Sequence, residues 1–346
     1  MDNIKKKVSS LGTPRLIIIS FFIVLCIAAV QLGLPLNNLL SDALVRMGMN
    51  GVLVLAMVPG ILCGIGLNFG IPIGIVCGLV GGLISIELNL TGFVALFVAM
   101  IVSVPFALFA GWLYGLLLNR VKGSEMTVST YAGFSIISLM CIVWLIAPFK
   151  SLELKWPIGD GLRTTITLGN RYSKILDNFG AFEIFGITVP TGLLLFFGFC
   201  CALMAIFLRT KTGIAMATAG DNPRFAKSSG INVDNARLLG TMISTMCGAV
   251  GIIVYAQSFG FYQLYQAPMM MGFAAVASIL IGGASSKRAT LVHVVLGTFL
   301  FQGLLTLSLP VANKIVTEGN LSEVMRIIVQ NGIILYALTK MGGGKD

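Results

Sequence analysis

The sequence predicts an all-α, polytopic membrane protein of about ten transmembrane helices, and three observations carry that prediction. Hydrophobic residues make up 57% of the 346 and charged residues 10%, against about 25% charged in soluble domains. Apolar runs of roughly 20 residues recur along the length, each long enough to cross a ~30 Å hydrocarbon layer as a helix. The alternating ten-residue segments of a β-barrel do not occur in the sequence, and a helix satisfies its own backbone in lipid.

Lys5, Lys6 and Lys7 precede an apolar run at 16–34. It exceeds a typical signal-peptide core and no small-residue cleavage site follows, so it reads as a retained first span. The block 47–88 is too long for one crossing and is broken by Pro59-Gly60, Gly64, Gly66, Gly70 and Pro72. Two helices with an irregular join are expected. In the second, Gly70, Gly74, Gly78 and Gly82 recur every fourth residue, which puts them on one helix face and lets another backbone approach closely. The join, 66–70, carries Asn68 and Phe69. Broken backbone at membrane depth belongs in protein or beside a water-filled cavity, so both are candidates to meet a solute, unless the join lies at the cytoplasmic surface.

A fourth span at 92–118 ends in the basic turn 119–125, and a fifth follows at 128–147. Residues 148–186 form one long loop of mixed charge, expected as a folded lid or docking surface. The sixth span, 187–208, leads into a polar interlude, Ala219-Gly220-Asp221-Asn222-Pro223-Arg224-Phe225-Ala226-Lys227-Ser228-Ser229-Gly230-Ile231. Asp221 or Asn222 can cap a helix, Pro223 suits its first position and Gly230 can end it in a left-handed conformation. A helix of at most two turns is marginal alone, so it is a candidate contact site. Spans seven to ten are placed at 238–257, 272–283, 291–309 and 324–338.

Ten spans put both termini on one side. With the amino end inside, fifteen of the 23 basic residues are cytoplasmic: Lys5, Lys6, Lys7, Arg15, Arg120, Lys122, Arg209, Lys211, Arg224, Lys227, Arg237, Lys287, Arg288, Lys340 and Lys345. The positive-inside rule then places both termini and the 219–231 stretch in the cytoplasm. The net charge of +10 fits a basic inner face against anionic lipid and asks for no nucleic acid.

The thirteen acidic residues all fall in predicted loops or at span ends. A secondary carrier usually needs a mid-membrane relay, so an ion-coupled carrier or channel is the weaker alternative. A phosphate-binding G-x-x-x-x-G-K-[ST] loop is missing as well, so an energy-coupling ATPase must be a separate subunit. The seven cysteines sit in apolar segments as small hydrophobes, no metal site is expected, and His293 reads as a packing residue. Gln257, Gln263, Gln266, Gln302 and Asn331 can hydrogen-bond a polar solute or tie helices together.

The Gly-x-Asn-Pro-x-x-Ala-x-x-Ser-Gly-Ile core within 219–231, with Met246-Cys247-Gly248-Ala249-Val250-Gly251 and 274–283, resembles the membrane permease of ribose-type, simple-sugar ATP-binding-cassette importers in the branched-chain amino acid/ribose permease superfamily. The resemblance covers nearly the whole chain in span number and order. It implies a bacterial inner-membrane subunit without catalysis of its own, one permease domain over 1–346, with 148–186 extracytoplasmic and 209–235 a cytoplasmic coupling loop. It implies that Asp221, Asn222, Pro223, Arg224, Phe225, Ala226, Lys227, Ser229 and Gly230 rest on an ATPase, which binds ATP and Mg. It further implies an extracytoplasmic solute-binding protein and a second permease, identical or not, enclosing the pathway. The expected solute is small, neutral and polar, foremost a monosaccharide, with a nucleoside or furanoside as alternative. Where ribose-like members read Gly-Gly-Ile-Asp-Leu-Ser-Val-Gly, this chain reads Gly64-Ile65-Gly66-Leu67-Asn68-Phe69-Gly70. The acid is replaced and an aromatic ring enters, which puts ribose itself in doubt.

Overall fold

The computed structural model describes residues 13–156, 161–265 and 267–315, and the single helical positions 324, 327, 328, 331, 332 and 335. Lys5, Lys6, Lys7, Gln266, both chain ends and most of the predicted tenth span lie outside the described residues. Among the described residues six helices are long and apolar enough to span a membrane, and three shorter apolar helices accompany them. The molecule is a polytopic helical protein.

The chain runs through α1 (Thr13–Gln31), α2 (Leu36–Leu55), α3 (Met57–Leu62), α4 (Ile71–Glu87), α5 (Gly92–Arg120) and α6 (Glu125–Ile146). After β1 (Thr165–Thr167), α7 (Ile175–Asn178), β2 (Phe182–Ile184) and β3 (Ile187–Val189) come α8 (Thr191–Arg209), α9 (Lys211–Asp221), α10 (Pro223–Ser228) and α11 (Val233–Phe259). The last elements are β4 (Phe261–Gln263), α12 (Ala267–Ile281) and α13 (Leu291–Ile315).

Helices α4, α5 and α11 make the centre, and the glycine row of α4 explains how close they come. A Cβ on Gly74 would overlap the Thr245 carbonyl of α11, and one on Gly78 the Ala249 carbonyl and Ile252. At the ends of the row Gly70 meets the Tyr114 ring and Gly82 the Tyr262 ring. On the other side of α4, Gly81 faces the Ala99 carbonyl of α5. Backbone-to-backbone approach of this kind is how helices gain packing energy where lipid is as apolar as leucine. Away from this centre α5 presents Phe97, Ile101 and Phe109, and α8 presents Leu195, Phe199 and Ile206, all exposed, as lipid-facing surfaces require.

Several element boundaries differ from the sequence prediction for local reasons. The second span begins at Leu36, right after Pro35, rather than at 47; its first turns carry Asn37, Asn38, Ser41, Asp42 and Arg46, too polar to register as a span. Asp42 therefore sits inside a helix and not in a loop. The seventh span starts at Val233 on an Asn232 cap, with the Asn235 N–H donating to Asn232 Oδ1 at 3.1 Å, and the eighth starts at 267. The sixth begins at Thr191, because 187–189 is the second strand of a β2–β3 hairpin. The long loop is thus partly sheet, and its β1 pairs antiparallel with β4.

Connections sort into two ends. At the first, Lys122 pairs with Asp234 and Arg237 with Glu125, Asn119 Nδ2 donates to the Asp234 carbonyl at 2.9 Å, and the α3–α4 join meets α9. At the second, the Lys150 and Ser151 N–H groups donate to Glu87 at 2.9 and 3.1 Å. There Arg171 binds Glu153, Asn89 Oδ1 and the Leu90 carbonyl, and Asn37 Nδ2 reaches the Phe185 carbonyl at 3.1 Å. The long loop is a plate clamped over the second end.

Candidate functional site: the broken helix and the capped helix beneath it

The α2–α3 helix stops at Leu62, and α4 starts at Ile71. Between them Gly64 and Gly66 adopt φ of +80° and +90°, a region side chains avoid. Asn68, 2% exposed, ties the break into the core. Its Oδ1 accepts from the Tyr114 hydroxyl at 2.8 Å and from the Gly70 N–H at 2.9 Å. Its Nδ2 donates to Ser244 Oγ at 2.8 Å, and that hydroxyl donates on to the Ala56 carbonyl at 2.7 Å. Three elements thus converge on one amide, whose two acceptor positions are both filled. Phe69 points elsewhere: its ring lies 5.3 Å from that of Phe273 on α12, which in turn lies 6.3 Å from Phe134 on α6.

Beneath the break sits the polar stretch. It divides into two helices, because α9 runs to Asp221 and only then does Asn222 turn the chain. Asn222 is extended, and its Oδ1 accepts the Phe225 N–H at 3.0 Å. Pro223 opens α10, the Ile231 N–H closes on the Ala226 carbonyl at 2.9 Å, and Gly230 has φ +79°. Asp221 does not cap α10; it ends α9. Ala226 is buried against Ala219 and Ala236, whereas Phe225 stands 58% exposed. Gly220, one residue before the end of α9, lies directly against the Leu62 carbonyl and the Gly64 N–H. The capped helix thus follows, across the Asn222 turn, a helix that abuts the break.

The predicted amides separate. Gln257 is fully buried at the second end, where Oε1 accepts the Leu176 N–H at 3.2 Å and Nε2 donates to Asp177 at 3.2 Å and to Ser258 at 2.9 Å. It holds α7 onto α11. Gln302 is buried on α13, Gln263 is exposed on β4 and Asn331 is exposed at an isolated helical position, so the structure does not bring these amides together. Tyr114 and Ser244, which complete the hydrogen bonds of Asn68, carry no local sequence signal that links them to it.

The polytopic bundle therefore carries, at its basic end, a capped helix joined to one that abuts a broken span. Residues 18–338 match the family described as branched-chain amino acid transport system / permease component. The chain belongs to this family. It is accordingly a multi-pass protein of the bacterial inner membrane. Among curated relatives, it is 28% identical over 204 residues to a tyrosine transport system permease protein of Clostridioides difficile, covering 54% of this chain and 66% of that one. It is 24% identical over 208 residues to a galactofuranose transporter permease protein of Escherichia coli, covering 54% and 60%. A guanosine ABC transporter permease protein of Bacillus subtilis is 32% identical over 77 residues, covering 22% and 24%. The chain spans less than two thirds of the length of these relatives. No solved structure matches it.

Proposed function

We propose that this family member is the non-catalytic permease subunit of an ATP-driven importer for a small, uncharged, hydroxyl-bearing solute of the monosaccharide or nucleoside kind, working by alternating access between two permeases. ATP and Mg belong to a separate cytoplasmic ATPase, and the solute arrives from an extracytoplasmic binding protein. The relatives named for galactofuranose and guanosine support this solute range, whereas the one named for tyrosine does not.

The first end faces the cytoplasm in this reading. It gathers Arg120, Lys122, Arg209, Lys211, Arg224, Lys227, Arg237, Lys287 and Arg288 against the three acids Glu125, Asp221 and Asp234, whereas at the second end Lys150, Lys155, Arg163, Arg171 and Lys174 are nearly matched by Glu87, Glu153, Asp177 and Glu183, as the positive-inside rule expects. The observation that carries the proposal is the seat of α10. It is a six-residue helix with its own cap and an exposed Phe225, joined through Asn222 to α9, whose Gly220 is pressed onto the break. An ATPase that moves α10 thereby moves the α3–α4 join, and the spans on either side rock.

Co-purification with candidate cassette ATPases tests this. Arg224→Glu, or proline at Ala226, is expected to dissociate the complex and stop ATP-dependent uptake. An intact, transporting complex with either substitution refutes the docking assignment, and solute flux through the chain alone without ATP favours an ion-coupled carrier or channel.

A further inference from the structure

Helix α8 stands apart from the central helices. It packs on α2, α7 and α9, and a Cβ on Gly48 or Gly51 of α2 would run into its Leu193 or Phe197. Between α8 and the pair α5 and α11 a groove of about 630 Å³ remains, within the ~300–1,000 Å³ of ordinary ligand sites. Phe196, Phe199, Cys200, Leu203, Met204 and Phe207 form its α8 wall; α5 contributes from 97–104, α11 from 243–250, and α2 adds Val52 and Leu55.

Among the described residues of this lining no side chain carries an oxygen or a nitrogen. A site for a hydroxyl-bearing solute needs a few placed polar groups, so the groove does not serve the solute. A second permease encloses a polar pathway, and its contact face must border polar groups that this lining lacks. The rims of the groove, Phe97 and Ile101 on α5 and Phe199 and Leu203 on α8, are exposed. They continue the lipid-facing surfaces of both helices.

Length and charge point to one occupant. From Phe196 to Phe207 the α8 stripe rises about 16 Å at 1.5 Å per residue, close to the ~15 Å depth of one leaflet, half of a ~30 Å hydrocarbon core. The stripe stops at the first end, where Phe207 is followed within four residues by Arg209 and Lys211, both exposed. Among the described residues no hydrogen bond or ion pair engages either side chain. Long basic side chains lay their stems on apolar surface and hold their charge at the interface, where it attracts an anionic headgroup.

We propose that the α5–α8–α11 groove is a binding site for an anionic phospholipid, with an acyl chain along the α8 stripe and the phosphate at Arg209 and Lys211. The chain fills the flank of α8 that no other helix covers. Because α8 passes through the Thr210 cap into α9, whose Gly220 abuts the break, the lipid braces the two helices that lead to α10.

Photolabelling of the full chain in mixed micelles tests this. Phosphatidylglycerol with a diazirine in one acyl chain is expected to label peptides covering 97–104 and 196–207 at least about fivefold more than the exposed face of α1 at Ile23, Val24 and Ile27. Unlabelled phosphatidylglycerol should compete at a concentration about tenfold below phosphatidylcholine of the same chains. Arg209→Gln/Lys211→Gln should bring the two lipids to the same concentration while the groove is still labelled. Cys200→Trp fills the groove from α8 and should lower its labelling about fivefold; where that variant does not elute as a single species in size exclusion, Val104→Phe fills it from α5 instead. Label spread evenly over α1, α5 and α8, or unchanged groove label in a filled variant, overturns the site. Equal competition by the two lipids in the parent overturns the headgroup assignment, and competition by glycerol 1-phosphate as strong as by the lipid overturns the acyl-chain assignment. Groove label present in monomers and lost in dimers gives the groove to a second copy and overturns the lipid.

Discussion

Replacing Asn68 by alanine separates a structural knot from a solute ligand. The substitution removes the acceptor of two buried donors, the Tyr114 hydroxyl and the Gly70 N–H, and the donor to Ser244. Ser244 retains its bond to the Ala56 carbonyl, so its loss is small. Each orphaned buried donor costs about 1–3 kcal/mol, and two cost about 2–6 kcal/mol. At roughly 2 °C per kcal/mol for a long chain, the midpoint should fall by roughly 4–12 °C. Thermal unfolding of detergent-purified or nanodisc-embedded protein reads this directly. Ser244→Ala should fall by less, and the double variant by less than the sum, because both act on one network. An Asn68→Ala protein that melts within about 1 °C of the parent, yet no longer transports, would show that the amide serves solute and that the knot is energetically empty.

Four further outcomes follow from the same geometry. Gly78→Val drives a branched side chain into the Ala249 carbonyl and Ile252; overpacking of this kind costs about 1–3 kcal/mol or more, and monodisperse yield should drop sharply while Gly198→Val, with open space around it, is tolerated. Arg237→Met strands the Glu125 carboxylate, whose side chain is 13% exposed, and should destabilise by about 3–5 kcal/mol, with much of the loss recovered in the Arg237→Met/Glu125→Met double variant. Asn222→Ala removes the α10 cap at a cost of about 1 kcal/mol, which a six-residue helix cannot spare, so ATPase affinity measured by pull-down should weaken while the melting midpoint barely moves. Burial holds the paired Tyr172 and Tyr262 phenols, 2.9 Å apart, above their ordinary range. Both are protonated in folded and unfolded chains below pH ~10, so melting is flat there; above it the unfolded chain loses protons that the fold retains and stability declines, more steeply than in a Tyr172→Phe/Tyr262→Phe variant.

Local rules made much of this molecule legible. Asn222, Pro223 and Gly230 announce α10 because a cap, a first-turn proline and a left-handed stop act within nine residues. The glycine row of α4 announces a close crossing because its period is that of the helix itself. The first turns of α2 were missed since Asn37, Asn38, Ser41, Asp42 and Arg46 mimic a loop in composition. Asn68 was ambiguous for a deeper reason: Tyr114 and Ser244, which fill its hydrogen bonds, are 46 and 176 residues away.

The contact between Gly220 and the Leu62–Gly64 turn has a mechanical meaning. Most joints between moving parts of a protein are cushioned by side chains, whose rotamers yield before the backbone does. Here main chain bears on main chain, with no torsion in between to soak up displacement. A shift of α9 by a fraction of an ångström should arrive at the helix break almost undiminished, as in a rigid linkage rather than a spring. Even an alanine at 220 would set its Cβ against the Leu62 carbonyl and the Gly64 N–H and so must wedge α9 away from the break.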